Sequence, residues 1–173
     1  SITFRASSDL DNGMTVSMSQ NLSAGSANNT HVTINMNEMG SLVFWKQGGT
    51  SVPGSWDDML PATNEESWNG MTGTVGGAGA IIAAGSNADM FRYSVNVMDG
   101  VDLYASYSPS DGTAAVESST SYGIQYTGVE GLTVGYANGD NNEKVAVTNG
   151  NATDSASGKE IENTTMFLKY AFD

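Results

Sequence analysis

Apolar and polar residues alternate in short segments along the chain, and a period of two puts each set on its own side of an extended strand. Ser1–Leu10 sets Ile2, Phe4, Ala6 and Leu10 against Thr3, Arg5, Ser7 and Asp9. Met14–Leu22 sets Met14, Val16, Met18 and Leu22 against Thr15, Ser17, Ser19 and Asn21, and Thr30–Asn37 sets Val32, Ile34 and Met36 against His31, Thr33 and Asn35. Met90–Met98, Val101–Ser108, Thr120–Thr127, Leu132–Ala137 and Thr164–Phe172 follow the same rule. Gly40–Gln47 differs in degree: Leu42, Val43, Phe44 and Trp45 are consecutive, as expected of a strand covered on both faces. The polar sides are mostly Thr, Ser and Asn, which suit water rather than a second packed layer. The pattern predicts about nine strands in a sheet with one oily and one wet side.

Connection lengths give the sheet its direction. Tight turns are expected at Asp11–Gly13, Glu38–Gly40, Asp99–Gly100 and Gly128–Gly131, where Gly stands beside Asp, Asn or Glu. Longer polar loops are expected at Ser23–Asn29, Gly48–Asp89, Pro109–Ser119 and Asn138–Asn163. Short and long ends that alternate along a meander predict an all-β, antiparallel, up-and-down transmembrane β-barrel. On its apolar side, Tyr107 and Tyr136 are expected near long-loop ends, and Tyr126, Tyr170 and Phe172 near short-turn ends, as two girdles at the lipid–water interfaces would require. The competing fold is a water-soluble β-sandwich, in which two apolar faces pack on each other.

Composition narrows the function. The chain has 173 residues, one domain's length, and no Cys, which excludes disulfides and thiolate chemistry. Nineteen acids against six bases leave a net charge of −13, which argues against nucleic acid as a partner, because phosphate needs a basic patch. No leader peptide is read at Ser1, which already lies in a strand pattern. Gly70–Ala88 is uncharged, but its glycines make it a packed loop rather than a membrane helix.

Candidate chemistry is sparse. His31 is the only histidine, and no G-x-S-x-G elbow supplies it with a nucleophile, so it reads as a solvated residue of the polar face. Asp9-Leu10-Asp11-Asn12-Gly13 lacks the spacing and terminal Glu of a calcium loop and reads as a turn. Asp57, Asp58, Glu65 and Glu66 could in principle supply a glycosidase pair. Their more useful reading is electrostatic: in a narrow aqueous gap with low-dielectric walls, fixed charges decide which ions enter. Arg5 and Arg92 both fall on polar faces, where they could oppose those acids. Trp56 and Trp68 flank the acids and are expected to pack their loop against a wall. No catalytic residue, metal site or cofactor is assigned.

The stretch Met39-Gly40-Ser41-Leu42-Val43-Phe44-Trp45-Lys46-Gln47-Gly48 resembles the strand that leads into the third extracellular loop of the trimeric general porins of Gram-negative outer membranes, especially the alphaproteobacterial type. Met39 replaces the family's usual Phe, Trp45 stands where Gly is common, and Lys46 matches a basic position that commonly points into the pore. The resemblance implies that residues 1–173 are a single partial barrel domain, a piece of a sixteen-stranded wall. It implies that 49–89 is a loop folded inward as a constriction, with Asp57, Asp58, Glu65 and Glu66 facing Arg5, Lys46 and Arg92. It further implies a passive, mildly cation-preferring diffusion channel for small hydrophilic solutes, a homotrimer in contact with outer-membrane lipid and lipopolysaccharide. The alternatives are a secreted or phage-borne β-sandwich adhesin and a small eight-stranded outer-membrane barrel.

Overall fold

The alternation becomes ten antiparallel strands in a computed structural model that describes residues 1–56, 88–110, 118–148, 151–154 and 159–172. They are β1 (Ile2–Asp9), β2 (Thr15–Ser23), β3 (Ser26–Asn35), β4 (Ser41–Gln47), β5 (Ala88–Met98), β6 (Val101–Ser108), β7 (Ser119–Val129), β8 (Leu132–Thr148), β9 (Asn151–Asp154) and β10 (Lys159–Tyr170). Each strand pairs with its sequence neighbour from β1 to β8, β10 then pairs with β8, and the short β9 pairs with β8 beyond it. The architecture is the antiparallel up-and-down sheet that the meander predicted, with β1 and β10 at its edges.

Register fixes the two faces. Successive partners run Arg5–Ser19–His31–Trp45–Met90 along one row, and Ser7–Ser17–Thr33–Val43–Arg92–Ser106–Ser121–Gly139 along the next row of the same face. The opposite face carries Val16, Ile34 and Leu42 in one row and Val95, Leu103, Ile124, Tyr136 and Met166 in another. Burial is inverted relative to a water-soluble sheet. Ile2, Phe4, Ile124, Met166 and Leu168 are exposed, Met166 to 74% and Leu168 to 70%. The small buried cluster of Val52, Trp56 and Ala137 sits instead on the polar side.

Three tyrosines of the apolar face step regularly across the strands. Tyr107 pairs with Thr120, two residues before Tyr122; Tyr122 pairs with Asn138, two residues after Tyr136. The belt therefore crosses the rows obliquely, as strands tilted by about 35–45° to a membrane normal require. Above it the same face turns polar, with Thr120, Asn138, Asp140, Glu162 and Thr164. The expected girdle is corrected in two respects: Tyr122 belongs to it, and Tyr136 lies mid-strand because β8 continues to Thr148.

Two expected loops are also corrected. Ser23–Asn29 is mostly strand, closed by the two-residue turn Ala24-Gly25 with φ of 51° and 80°. Both residues are left-handed, the condition for a mirror-image turn that matches strand twist. Much of Asn138–Asn163 is strand as well, since β8, β9 and β10 extend into it. In both places polar residues dominate the sequence, and no regular alternation marks the strand.

The short turns fall where Gly predicted them and are tied together. Asn37 donates from Nδ2 to the Gly13 carbonyl at 3.0 Å, and the Tyr93 hydroxyl donates to the Met39 carbonyl. Gly100 (φ 73°) closes the β5–β6 turn, and its carbonyl accepts from Thr127 N at 2.8 Å. A Cβ there would lie 2.5 Å from backbone atoms of Gly128, so only glycine fits.

Candidate functional site

Just after β4 the chain leaves the sheet edge-on and crosses the polar face. Ser51–Trp56 forms a strap whose end is a 3-10 turn, Pro53–Trp56, lying against β7, β8 and β10. From β4 to β7 is three strand spacings, about 14 Å, which the few residues between Gln47 and Val52 span nearly extended.

The wall is shaped to receive the strap. Glycines at 123 and 139 remove side chains from the polar face of β7 and β8: a Cβ on Gly123 would lie 2.7 Å from Val52 Cγ1 and 2.8 Å from Trp56 Cη2, and one on Gly139 would lie 3.2 Å from Pro53 Cγ. Trp56 fills the resulting socket, edge-on to Tyr104 at 5.7 Å and to Phe167 at 5.3 Å between centroids. Burying a large side chain this way is worth roughly 2–3 kcal/mol, and each edge-to-face ring pair adds roughly 0.5–1.5 kcal/mol. Polar groups are matched too. Val52 N donates to Ser121 Oγ at 2.9 Å, Ser121 Oγ meets Ser106 Oγ at 2.5 Å, and Ser55 Oγ donates to the Val52 carbonyl at 2.8 Å.

Arg92 reaches this strap from β5. Its Nη2 donates to Ser55 Oγ at 3.0 Å, and its guanidinium carbon stands 5.6 Å from the centroid of Tyr104. Arg5 shares the polar face with Arg92, one row away and about 19 Å distant across four strand spacings. On the same face the His31 ring tilts against Trp45 with centroids 4.3 Å apart, and its Nδ1 lies 3.0 Å from Asn29 Oδ1.

Lys46 is not gathered with the two arginines. Trp45 pairs with Met90 and Gln47 with Ala88, so Lys46 stands opposite Asp89, on the side of Leu42 and Phe44. Its Nζ binds both Asp89 carboxylate oxygens, at 2.7 and 3.0 Å, in an exposed ion pair. The period of two decides this: a basic residue next to the inward Trp45 points outward. Asp57, Asp58, Glu65, Glu66 and Trp68 lie outside the described residues. The segment Asp9–Gly13 is a tight turn in which Leu10 N donates to the Met14 carbonyl at 2.8 Å and Met14 N donates to Asn12 Oδ1 at 3.1 Å. Sequence reasoning missed Ser55, Tyr104, Ser106, Ser121, Gly123 and Gly139. Their signal is faint: glycines on the polar side of two long strands.

An apolar face left uncovered, a polar face crossed by the start of the longest connection, and an oblique tyrosine belt fit a wall with lipid on one side and water on the other. The family model for Gram-negative porins matches residues 1–173. The chain belongs to the Gram-negative porins. No curated protein matches it. This porin is accordingly an outer-membrane channel protein, its uncovered face turned to lipid and its polar face to the path of small solutes. Ile124, Met166 and Leu168 are exposed on that face.

Proposed function

We propose that this porin is a passive diffusion channel for small hydrophilic solutes and ions, mildly cation-preferring, in which the connection from residue 49 to the start of β5 at Ala88 folds inward and narrows the path. The observation that carries the reading is the seat of Ser51–Trp56 on the polar wall, held by Ser121, Tyr104 and Phe167. The strap starts the connection on the water-filled side; in the sequence Asp57 and Asp58 follow Trp56 directly, and Glu65 and Glu66 stand a few residues further on. Facing Arg5 and Arg92, those acids set a transverse field that orders water and disfavours apolar solutes. Lys46, paired outward with Asp89, is left out of the constriction. The net charge of −13 supports the cation preference.

The same reading takes the assembled protein as a homotrimer among lipid and lipopolysaccharide. The polar outward patch of Thr120, Asn138, Asp140, Glu162 and Thr164 above the tyrosine belt suits headgroup contact. Reversal potential across a salt gradient in planar bilayers tests the channel: cation preference is expected, and it falls when Asp57 and Asp58 are both changed to Asn while Asp154→Asn changes little. Clear anion preference in the wild type would refute the charge reading.

A further inference from the structure

We propose that Arg92, besides the charge it lends the constriction, is a positioning residue that sets the size limit of the channel through the strap. This rests on the channel reading above. The geometry runs as an unbroken chain of groups. The Ser55 hydroxyl gives its hydrogen to the Val52 carbonyl at 2.8 Å, so toward Arg92 it offers only lone pairs, and Arg92 Nη2 donates to it at 3.0 Å. The Val52 N–H is held from the other side by Ser121 Oγ at 2.9 Å. Both backbone poles of Val52 are thereby fixed, one by the wall directly and one through Ser55 and Arg92.

The guanidinium itself is steered by Tyr104, whose ring centroid lies 5.6 Å from its central carbon. Tyr104 also meets Trp56 edge-on, so one ring orients the arginine and buttresses the strap. A planar guanidinium spreads its donors widely enough to lie at an aromatic ring while aiming one N–H at a hydroxyl; a lysine ammonium is a compact, strongly hydrated point charge that does not reproduce this fixed geometry. Conserving charge at this position therefore does not conserve its role. Releasing Ser55 frees the turn Pro53–Trp56 to leave the wall, and the space next to the strap changes with it. The residue acts on solute size through position, and on ions through its charge.

The experiment separates position from charge. The purified protein, wild type and with Arg92→Lys, Arg92→Gln, Ser55→Ala, Ser55→Thr or Arg92→Lys combined with Ser55→Ala, is assayed by liposome swelling with sugars of increasing size and by reversal potential in a salt gradient. Arg92→Lys and Ser55→Ala, which both conserve charge, are expected to change trisaccharide uptake relative to monosaccharide severalfold while the reversal potential stays near wild type. Their combination adds nothing further, and Ser55→Thr, which keeps the hydroxyl, retains the wild-type ratio. Ser55 lies outside the strands, so its variants keep the wall intact. A wild-type size ratio in both Arg92→Lys and Ser55→Ala overturns the proposal and leaves the channel standing, whereas a shifted reversal potential in Arg92→Gln reports only the charge. A wild type that admits no monosaccharide overturns the channel reading itself.

Discussion

Trp56, at the end of the strap, stands edge-on to Phe167 of β10 with ring centroids 5.3 Å apart, joining the connection after β4 to the far edge of the sheet. The contact explains why the buried apolar cluster of this chain lies on its polar side. Trp56 is 6% exposed and Val52 fully buried, whereas the aliphatic residues of the strands are left open to lipid. Removing the indole is therefore a local event. Trp56→Ala is expected to cost the seat about 3 kcal/mol, which makes the Val52 amide, bonded to Ser121, exchange its hydrogen about a hundredfold faster. Amides within the β6–β7 ladder keep their protection; hydrogen exchange followed by mass spectrometry reads both.

Gly123 and Gly139 form a graded pair. Gly123→Ala places a methyl 2.7 Å from Val52 Cγ1, whereas Gly139→Ala meets Pro53 Cγ at 3.2 Å. Overpacking of the first kind costs about 1–3 kcal/mol and is relieved by lifting the strap. Single-channel conductance should change clearly in Gly123→Ala and little in Gly139→Ala.

The turn glycines separate two penalties. Gly13 and Gly100 both hold positive φ, 80° and 73°, but a Cβ on Gly13 would have its nearest neighbour at 3.8 Å while one on Gly100 would lie 2.5 Å from the Gly128 backbone. Gly13→Ala should lose only the roughly 1 kcal/mol of a left-handed alanine. Gly100→Ala adds a clash of roughly 1–3 kcal/mol. Urea midpoints of the folded porin in lipid should fall in that order, Gly100→Ala furthest.

Charge on the two faces should have opposite consequences. Ile124 is exposed on the apolar side, and Ile124→Arg is expected to destabilise the lipid-embedded protein by up to about 2–4 kcal/mol. Thr33→Lys, on the polar side in the row of Arg92, should fold normally and move the reversal potential toward anions. Urea unfolding and bilayer recordings on the two variants check this.

Much of the fold was legible in the sequence because lipid on one side and water on the other enforce a strict period of two. Val101–Ser108 was bounded at the residues where β6 begins and ends. Where polar residues dominate, the period vanishes: Ser26–Asn29 and Lys159–Asn163 are strand without regular alternation, and polar composition alone reads as loop. The site was less legible. Arg5 and Arg92 were placed on the polar face by alternation, but the same rule puts Lys46 outward, against the position its local resemblance implied. The seat for the strap consists of what is missing, the side chains of Gly123 and Gly139, and of two serine hydroxyls that any polar strand supplies.

Cysteine accessibility tests the two-sided wall most directly, since the chain has no Cys of its own. Single cysteines at the adjacent positions Val16 and Ser17, and at Ile124 and Gln125, are treated in intact outer membranes with a small charged maleimide. The cysteines at 17 and 125 should react, and those at 16 and 124 should stay unmodified until the membrane is dissolved in detergent. Equal reaction within each pair, or labelling confined to 16 and 124, would contradict lipid on the apolar face and water on the polar one.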